Sequence, residues 1–319
     1  MEERLLAILR LALKHHATDI HFINRYNDLE IEMRVNDVLR KVKSNFGDYK
    51  LLSYLQYLAN LDLGNLLRPQ TGQFEMEVDG NLLSLRFALI NSHNFQNGVL
   101  RILNAKIKID VNNLSIYPKQ NEYFKSLFEN DNGLILFSGP TGSGKTTTIY
   151  TLLDNIEGQR IYTIEDPIEI YNDKLIQLEI NNAINFNYEE AIKQVLRHDP
   201  DIIMIGEIRD YEAANMAIQA ANTGHLVIAT IHASKASSII NRLLELGINE
   251  THLYDVLLSL NNQRMMINKK TNEKIVLYET MDKDEIEYFR INNSNSNDFI
   301  SIDKQIEKGI KDGIFTKNI

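Results

Sequence analysis

The eight residues from 139 to 146 constrain the fold of this chain more than any other segment. They read GPTGSGKT, with the apolar run LILFS before them and the helix-compatible run TTIYTLLDNI after them. In such a strand–loop–helix unit, glycines let backbone N–H groups curl around phosphate oxygens, and the helix start adds its positive dipole end. The pattern predicts an α/β fold with a phosphate-binding loop; the alternative is a glycine turn that binds nothing.

Side chains in this loop indicate what it binds. Lys145 can reach the β- and γ-phosphates of a nucleotide, and the hydroxyl of Thr146 can bind Mg²⁺. The residues that we expect to contact the nucleotide are Gly139, Pro140, Thr141, Gly142, Ser143, Gly144, Lys145, Thr146 and Thr147.

Around the loop, short apolar strands alternate with helical stretches. Ile- and Val-rich strands in this alternation are typical of a parallel sheet that is buried on both faces. We predict that residues 120–319 form one α/β domain with a helical C-terminal part. Beyond about residue 273 the chain is polar and weakly periodic, and no individual element is predicted there. The predicted strands are LILFS, RIYTIE, DIIMIGE and LVIATI, and the helical stretches include 188–198 and 211–222.

The first third of the chain has a different pattern. Leu and Ile residues recur at helical spacing over residues 5–13, and residues 49–63 return to the same periodicity. Alternating apolar and polar residues predict strands joined by tight turns, as at Asp79-Gly80. The sequence thus predicts an α+β domain over residues 1–110, followed by a linker at 111–119, where the pattern lapses into Asn, Ser and Pro.

Two strands of the α/β domain end in acidic residues. Glu165, Asp166 and Glu169 follow RIYTI, and one of these carboxylates could orient and deprotonate an attacking water. Glu207 follows DIIMIG, in the layout of a Walker B acid that holds Mg²⁺ or its water. Open parallel sheets bind ligands beyond the carboxyl ends of their strands, so these acids are candidates for the site. The alternative is that they are solvated loop carboxylates.

Two histidines, His225 and His232, bracket the strand LVIATI. Their separation of seven residues places them on opposite faces of a strand, so we expect only one of them to face a nucleotide directly. The alternative is that both are structural. The other histidines have no metal-ligand spacing, and we predict no zinc site.

Composition excludes several classes of function. The 34 Lys and Arg residues against 43 Asp and Glu residues give a net charge of −9, the wrong sign for a broad nucleic-acid-binding surface. The absence of cysteine excludes disulfides, thiolate metal sites and a cysteine nucleophile. No apolar run approaches the ~20 residues that span a bilayer, and the N-terminus lacks a signal-peptide pattern, so we expect a cytoplasmic protein.

Four motifs occur in the order found in one known family. The phosphate loop is GPTGSGKTTT, and TIEDPIE at 163–169, IGEIRD at 205–210 and TGHLVIATIHA at 223–233 look like the aspartate box, the Walker B motif and the histidine box. Over residues 1–265 the chain resembles the secretion and type IV pilus motor ATPases. As a short form without cysteine, it is most similar to the competence-pilus members of Gram-positive bacteria.

The resemblance implies an architecture, an activity and partners. It implies a PAS-like N-terminal domain joined flexibly to a RecA-like P-loop ATPase domain, in a homo-oligomer of six copies that forms a ring. ATP and Mg²⁺ are the implied cofactors. Hydrolysis would drive assembly of a pilus-like fibre for DNA uptake through an inner-membrane platform protein. The chain would be peripheral at the inner face of the membrane, without direct contact with nucleic acid.

The resemblance also implies roles for individual residues. In this family, arginines of an N-terminal strand pair reach the γ-phosphate; here they are Arg86 and Arg101, whose guanidinium groups would offset charge on the transferring phosphoryl group. The implied catalytic residues are Glu169, Glu207, Lys145, Arg86, Arg101 and His232, the implied nucleotide contacts outside the loop are Glu165, Asp166 and His225, and the implied Mg²⁺ ligands are Thr146 and Glu207.

Other functions stay open at this point. Within the same family, the chain could serve pilus retraction or type II secretion. Outside it, the same phosphate loop suits a RecA-like nucleic-acid translocase, a kinase, or a nucleotide-gated scaffold without turnover.

Overall fold

The chain divides into two compact units. The computed structural model describes residues 1–26, 28–35, 38–43, 45, 47–64, 68–92, 95–103, 109–271 and 273–315. The first unit comprises Met1–Ile107 with the short segment Glu169–Tyr171, and the second comprises Lys108–Ile168 and Asn172–Ile319.

The first unit is an antiparallel sheet covered by two helices. Its six strands lie in the order β3-β2-β1-β6-β5-β4. The predicted α+β class of this region is confirmed, and so is the hairpin after the first helix. The elements are α1 (Glu2–Lys14), β1 (Asp19–Arg25), β2 (Asp28–Val35), β3 (Val38–Val42), α2 (Lys50–Leu58), β4 (Gln70–Val78), β5 (Asn81–Ser92) and β6 (Phe95–Ile102).

Close helix-to-sheet packing forms the core of the first unit. The apolar faces of α1 and α2 join the inward side chains of the sheet in one hydrophobic cluster. Gly98 on β6 allows this approach, because a Cβ atom there would lie 2.7 Å from Phe87 and 2.8 Å from Leu52. Burying side chains such as Leu52 stabilises the fold by about 1.5–3 kcal/mol each.

The second unit is built on a mostly parallel sheet of seven strands, in the order β13-β12-β7-β11-β10-β8-β9. Every neighbouring pair is parallel except β12 and β13, which are antiparallel. The strands predicted from apolar runs are confirmed as β7, β8, β10 and β11. The seven strands are β7 (Gly133–Ser138), β8 (Ile161–Glu165), β9 (Ile176–Glu179), β10 (Ile202–Ile208), β11 (Leu226–Ile231), β12 (Leu257–Ile267) and β13 (Lys274–Met281).

Helices pack against this sheet around one large hydrophobic cluster. Asn187, Asp210 and Asn249 begin three of the helices with side-chain caps, as Asn and Asp commonly do. No described helix combines the length and the apolar character needed to cross a membrane. The helices are α3 (Pro118–Ser126), α4 (Lys145–Leu153), α5 (Tyr188–Val195), α6 (Tyr211–Asn222), α7 (Ala236–Glu245), α8 (Glu250–Val256), α9 (Lys283–Asn292) and α10 (Ile302–Lys311).

The structure differs from the sequence prediction in two segments. Residues 111–119, predicted as a linker, contain the 3₁₀ turn Val111–Asn113 and the start of α3. The side chain of Asn121 on α3 donates a hydrogen bond to the carbonyl of Asn112 and accepts one from the backbone of Ser115, which pins the turn to the helix. After residue 273, where no element was predicted, the chain forms β13, α9 and α10. Local signals for α10 were present, because Ile302, Ile306 and Ile310 recur at helical spacing after the capping residue Ser301. Strand β13, in contrast, is stabilised by its pairing with β12.

Candidate nucleotide-binding site

The glycine-rich segment forms the loop between β7 and α4, as predicted. Gly139, Gly142 and Gly144 have φ angles of +141°, +79° and +88°, which side-chain-bearing residues rarely adopt. At Gly139 space is also short, because a Cβ atom would lie 2.3 Å from the carbonyl oxygen of Gln263. The backbone of the loop therefore requires glycine for both conformation and packing.

The start of α4 fits an anion. The helix begins at Lys145 after Gly144, and no side chain caps its first-turn N–H groups. The buried hydroxyl of Ser143 has no hydrogen-bond partner among the described residues. Unpaired donors at a helix N-terminus suit phosphate oxygens. These residues therefore fit the phosphates of a nucleotide.

Lys145 and Thr146 occupy the first two positions of α4. The Nζ atom of Lys145 donates hydrogen bonds to the carbonyls of Gly139 at 2.9 Å and Pro140 at 3.3 Å, so the ammonium group lies over the loop. Thr146 is half-buried. The Thr146 hydroxyl and a carboxylate such as Glu207 are oxygen ligands of the type that Mg²⁺ prefers beside nucleotide phosphates.

Strand β12 supports the loop from the side. The Nε2 atom of Gln263 donates to the carbonyl of Ser143 at 2.7 Å, and the Nδ2 atom of Asn262 donates to the hydroxyl of Ser138 at 2.8 Å. All four residues are buried. Sequence reasoning assigned no role to Gln263 or Asn262. The signal was available, because the adjacent polar residues Asn261, Asn262 and Gln263 interrupt a strand that is mostly apolar.

Three predicted site residues meet at the carboxyl edge of the parallel sheet. Glu207 lies near the end of β10. Its Oε1 atom is 2.8 Å from Nε2 of His232, and its Oε2 atom accepts a 2.7 Å hydrogen bond from Nε of Arg209. The Nη1 atom of Arg209 is 3.6 Å from a carboxylate oxygen of Asp166. The hydrogen bond with Glu207 raises the pKa of Arg209, so this guanidinium stays charged. Sequence reasoning missed Arg209, although it lies within the Walker B motif.

Glu165 does not occupy the predicted position. We expected a nucleotide contact, but its side chain is buried, with 3% of the residue exposed. Its Oε1 accepts hydrogen bonds from the hydroxyls of Tyr150 at 2.5 Å and Thr163 at 2.7 Å. The structure therefore corrects this prediction: Glu165 is an interior carboxylate, because β8 is buried on both faces of the sheet through to its last residue.

His225 is also displaced from the prediction. The carbonyl of His225 accepts a hydrogen bond from Gly133, the first residue of β7, so His225 lies at the amino edge of the sheet. Six residues of β7, at ~3.3 Å each, place the phosphate loop about 20 Å away at the opposite edge. The ring of His225 contacts the Ala220 carbonyl and the Thr223 hydroxyl. Within its own unit His225 therefore does not reach the loop. His232 lies at the carboxyl edge of the sheet, where the loop begins.

The two predicted arginines lie in the first unit, opposite each other in the register of β5 and β6. Nε of Arg101 donates a 2.7 Å hydrogen bond to Asp19. Burial acts to raise the pKa of Asp19, but the hydrogen bonds from Arg101 and Thr18 outweigh it, and the pKa lies below its usual value. The roles of Arg86 and Arg101 at a phosphate stay predictions.

Glu169 is exposed and belongs to the short segment of the first unit. Its catalytic role also stays a prediction.

Comparison with known proteins identifies the family. The family model described as "Type II/IV secretion system protein" matches residues 1–301. Competence protein ComGA of Bacillus subtilis (strain 168) is 34% identical over 255 residues, covering 78% of this chain and 72% of ComGA. ComGA of Halalkalibacterium halodurans is 36% identical over 269 residues, covering 82% and 77%. The type II secretion system ATPase E of Vibrio cholerae is 34% identical over 265 residues, and the match spans only 53% of that longer protein.

Solved structures share the fold. The pilus retraction motor PilT, crystallised with bound ADP, matches with a TM-score of 0.74 and 25% identity over 98% of this chain and 94% of PilT. The ATPase DotB of Legionella pneumophila matches with a TM-score of 0.80 and 18% identity, covering 97% and 92%. These matches confirm the predicted RecA-like ATPase fold with a smaller N-terminal domain. The chain therefore belongs to the type II/IV secretion system protein family, a family of secretion and pilus ATPases that bind nucleotide.

Proposed function

We propose that this chain is the assembly motor of a competence pilus: six copies form a ring and hydrolyse ATP to extend a pilus-like fibre for DNA uptake. The observation that carries the proposal is the position of the phosphate loop, which begins at the same edge of the sheet as Glu207 and His232. The ComGA relatives, each matched over more than two thirds of its length, support the competence role.

Binding of ATP uses the loop and the start of α4. Backbone N–H groups of the loop and of the first turn of α4 donate to phosphate oxygens, and Lys145 turns from the loop carbonyls to the β- and γ-phosphates. Thr146 and Glu207 would hold Mg²⁺, which supplies positive charge at the phosphates when it is bound.

Hydrolysis then requires an oriented water. The water oxygen attacks the γ-phosphorus, the bond from the γ-phosphorus to the β–γ bridging oxygen breaks, and ADP and inorganic phosphate leave. Glu169 is the proposed acceptor of the water proton, and Arg86 and Arg101 offset the negative charge of the transferring group. Arg209 and His232 hold Glu207 on both of its oxygens, so the carboxylate keeps a fixed orientation.

The proposed partners follow from the family. The ring would act on an inner-membrane platform protein, and the chain would be peripheral at the inner face of the membrane through that partner. Its net charge of −9 does not favour direct binding to nucleic acid.

The proposal is tested with purified protein and a deletion strain. We expect Mg·ATP hydrolysis by the wild type. The variant Lys145→Ala should lose nucleotide binding, because the loop residues 139–147 contain no other cationic side chain. In the deletion strain, the wild-type gene should restore DNA uptake and Lys145→Ala should not. Wild-type protein that neither binds nor splits Mg·ATP would refute the proposal, and so would Lys145→Ala with unchanged affinity.

The structural match to PilT favours retraction as a second candidate function. The two directions of force differ in the phenotype of the deletion strain. Loss of an assembly motor leaves cells without fibres, whereas loss of a retraction motor leaves fibres that accumulate on the surface. Electron microscopy of the deletion strain therefore separates the two candidates.

A further inference from the structure

A buried carboxylate beside the site has no role in the proposed chemistry. Glu165 ends β8, is 3% exposed, and accepts hydrogen bonds from Tyr150 and Thr163 on the same oxygen. A buried charge of this kind is costly unless hydrogen bonds satisfy it. Two hydroxyl groups supply such hydrogen bonds here, and one of them, from Tyr150, belongs to the helix that follows the phosphate loop.

Tyr150 connects this carboxylate to the loop. It lies on α4, the helix that begins with Lys145 and Thr146, and its hydroxyl donates a 2.5 Å hydrogen bond to Glu165. Gln177 on β9 donates to the Tyr150 oxygen at 2.6 Å. Burial, and then the charge of Glu165, raise the pKa of Tyr150, so the phenol remains a donor. Three elements, α4, β8 and β9, thus meet at one carboxylate.

Glu165 also adjoins the acidic edge of the sheet, by which we mean the strand ends that carry Asp166 and Glu207. The next residue, Asp166, pairs with Arg209, which holds Glu207. Gly206, directly before Glu207, packs on the backbone of Glu165, because a Cβ atom there would lie 3.3 Å from the Cα of Glu165. A shift of Glu165 would therefore displace both strand ends that carry the acids.

We infer that Tyr150 and Glu165 are positioning residues: their hydrogen bond locks the phosphate-binding helix α4 to the end of β8 and sets the distance between bound phosphates and the acidic edge. The inference rests on the proposed ATPase function. Because misplacement by about 1 Å can cost about 10²-fold in rate, the lock should affect turnover more than binding.

A structural role alone would give a different result, and Tyr278 provides the matched control. Its hydroxyl is 2.8 Å from the hydroxyl of Thr148, also on α4, and Tyr278 is 1% exposed. Tyr278→Phe removes a buried phenolic contact with the same helix without touching Glu165. Both Tyr→Phe variants should lower the melting temperature, but only Tyr150→Phe should disturb the lock.

The experiment compares wild type, Tyr150→Phe and Tyr278→Phe in steady-state ATPase assays, fluorescent ATP binding and thermal unfolding. We expect Tyr150→Phe to lower kcat about tenfold while the nucleotide Kd stays within about twofold. For Tyr278→Phe, kcat should stay within about twofold of wild type. In a double-mutant cycle, adding Tyr150→Phe to Glu165→Ala should cause no further loss of kcat, since both remove one interaction.

Unchanged kcat in Tyr150→Phe, or equal losses of kcat in the two Tyr→Phe variants, would overturn the inference and leave the proposed function intact. Additive losses in the cycle would overturn it as well. A wild type that does not hydrolyse ATP would refute the proposed function, whereas an active wild type with an unaffected Tyr150→Phe variant would refute only the inference. The two failures are therefore distinguishable.

Discussion

Single residues at the phosphate loop depend on partners far away in the chain. The loop carbonyl of Ser143 is bound by Gln263, 120 residues later, and Gly139 packs against the backbone of the same residue. The loop motif encodes a backbone path, but β12 provides the surface on which that path is stable. Substitutions in the loop should therefore differ in cost according to what each glycine faces.

Gly139→Ala and Gly142→Ala separate packing from conformation. Both glycines have positive φ, but an added Cβ would lie 2.3 Å from backbone at Gly139 and meets nothing within 4 Å at Gly142. We expect Gly139→Ala to lower the free energy of unfolding by about 3 kcal/mol or more, because backbone must move. Gly142→Ala should cost only about 1–2 kcal/mol, for the left-handed conformation. Chemical unfolding measures both, and equal losses would contradict the packing argument.

At the scale of elements, the C-terminal strand and helices complete the second unit. Glu279 on β13 is buried, and its two oxygens accept hydrogen bonds from the backbone N–H of Ala236 at 2.8 Å and of Ile302 at 3.1 Å. These are the first residues of α7 and α10. One carboxylate thus caps two helices, where negative charge is favoured at both N-termini. This contact joins the C-terminal helix α10 to β13 and α7.

Replacing this carboxylate should loosen the C-terminal elements. Glu279→Gln keeps one acceptor and removes the other, so one buried N–H loses its partner, and we expect a loss of about 1–3 kcal/mol in the free energy of unfolding. Hydrogen exchange should show faster exchange in α10.

Asp303→Asn is the matched control for this variant. Its carboxylate is 66% exposed and 3.8 Å from Arg264, so its loss should cost less than about 0.5 kcal/mol. A Glu279→Gln protein as stable as Asp303→Asn would show that the double cap contributes little.

The structure places some candidate residues where local pattern predicted them, and their roles stay predictions. The phosphate loop, its flanking strand and helix, and the strand ends with Glu207 and His232 follow from short-range periodicity and one motif. Glu165 and His225 were misplaced, because family motifs name residues without saying whether a side chain points inward or which edge of the sheet it occupies. Tyr150 and Gln263 were missed because their partners lie in other elements, whereas Arg209 was overlooked although its partner Glu207 is only two residues away.

For the whole molecule, the proposed ring makes activity a collective property. The site predictions for Arg86 and Arg101 place catalytic groups in the first unit, while the phosphate loop lies in the second. In the proposed ring, turnover would depend on assembly of the six copies.

We expect ATPase activity per chain to rise with protein concentration as rings form. The size of the particle in solution, measured by light scattering, should increase toward six copies with a nonhydrolysable ATP analogue. As a control, Lys145→Ala should not respond to the analogue. A monomer with concentration-independent turnover would refute the ring. DNA should not stimulate turnover, in keeping with the net charge of −9.

The sequence alone determined the class of fold, the phosphate loop and the family, since each depends on local periodicity or on motifs whose residues are close in the chain. Only the tertiary structure decided which acids lie at the carboxyl edge of the parallel sheet, which carboxylate is buried, and what stabilises the C-terminal elements. The physical reason is that these features arise from strand order and register, which join residues more than a hundred positions apart, such as Ser143 and Gln263.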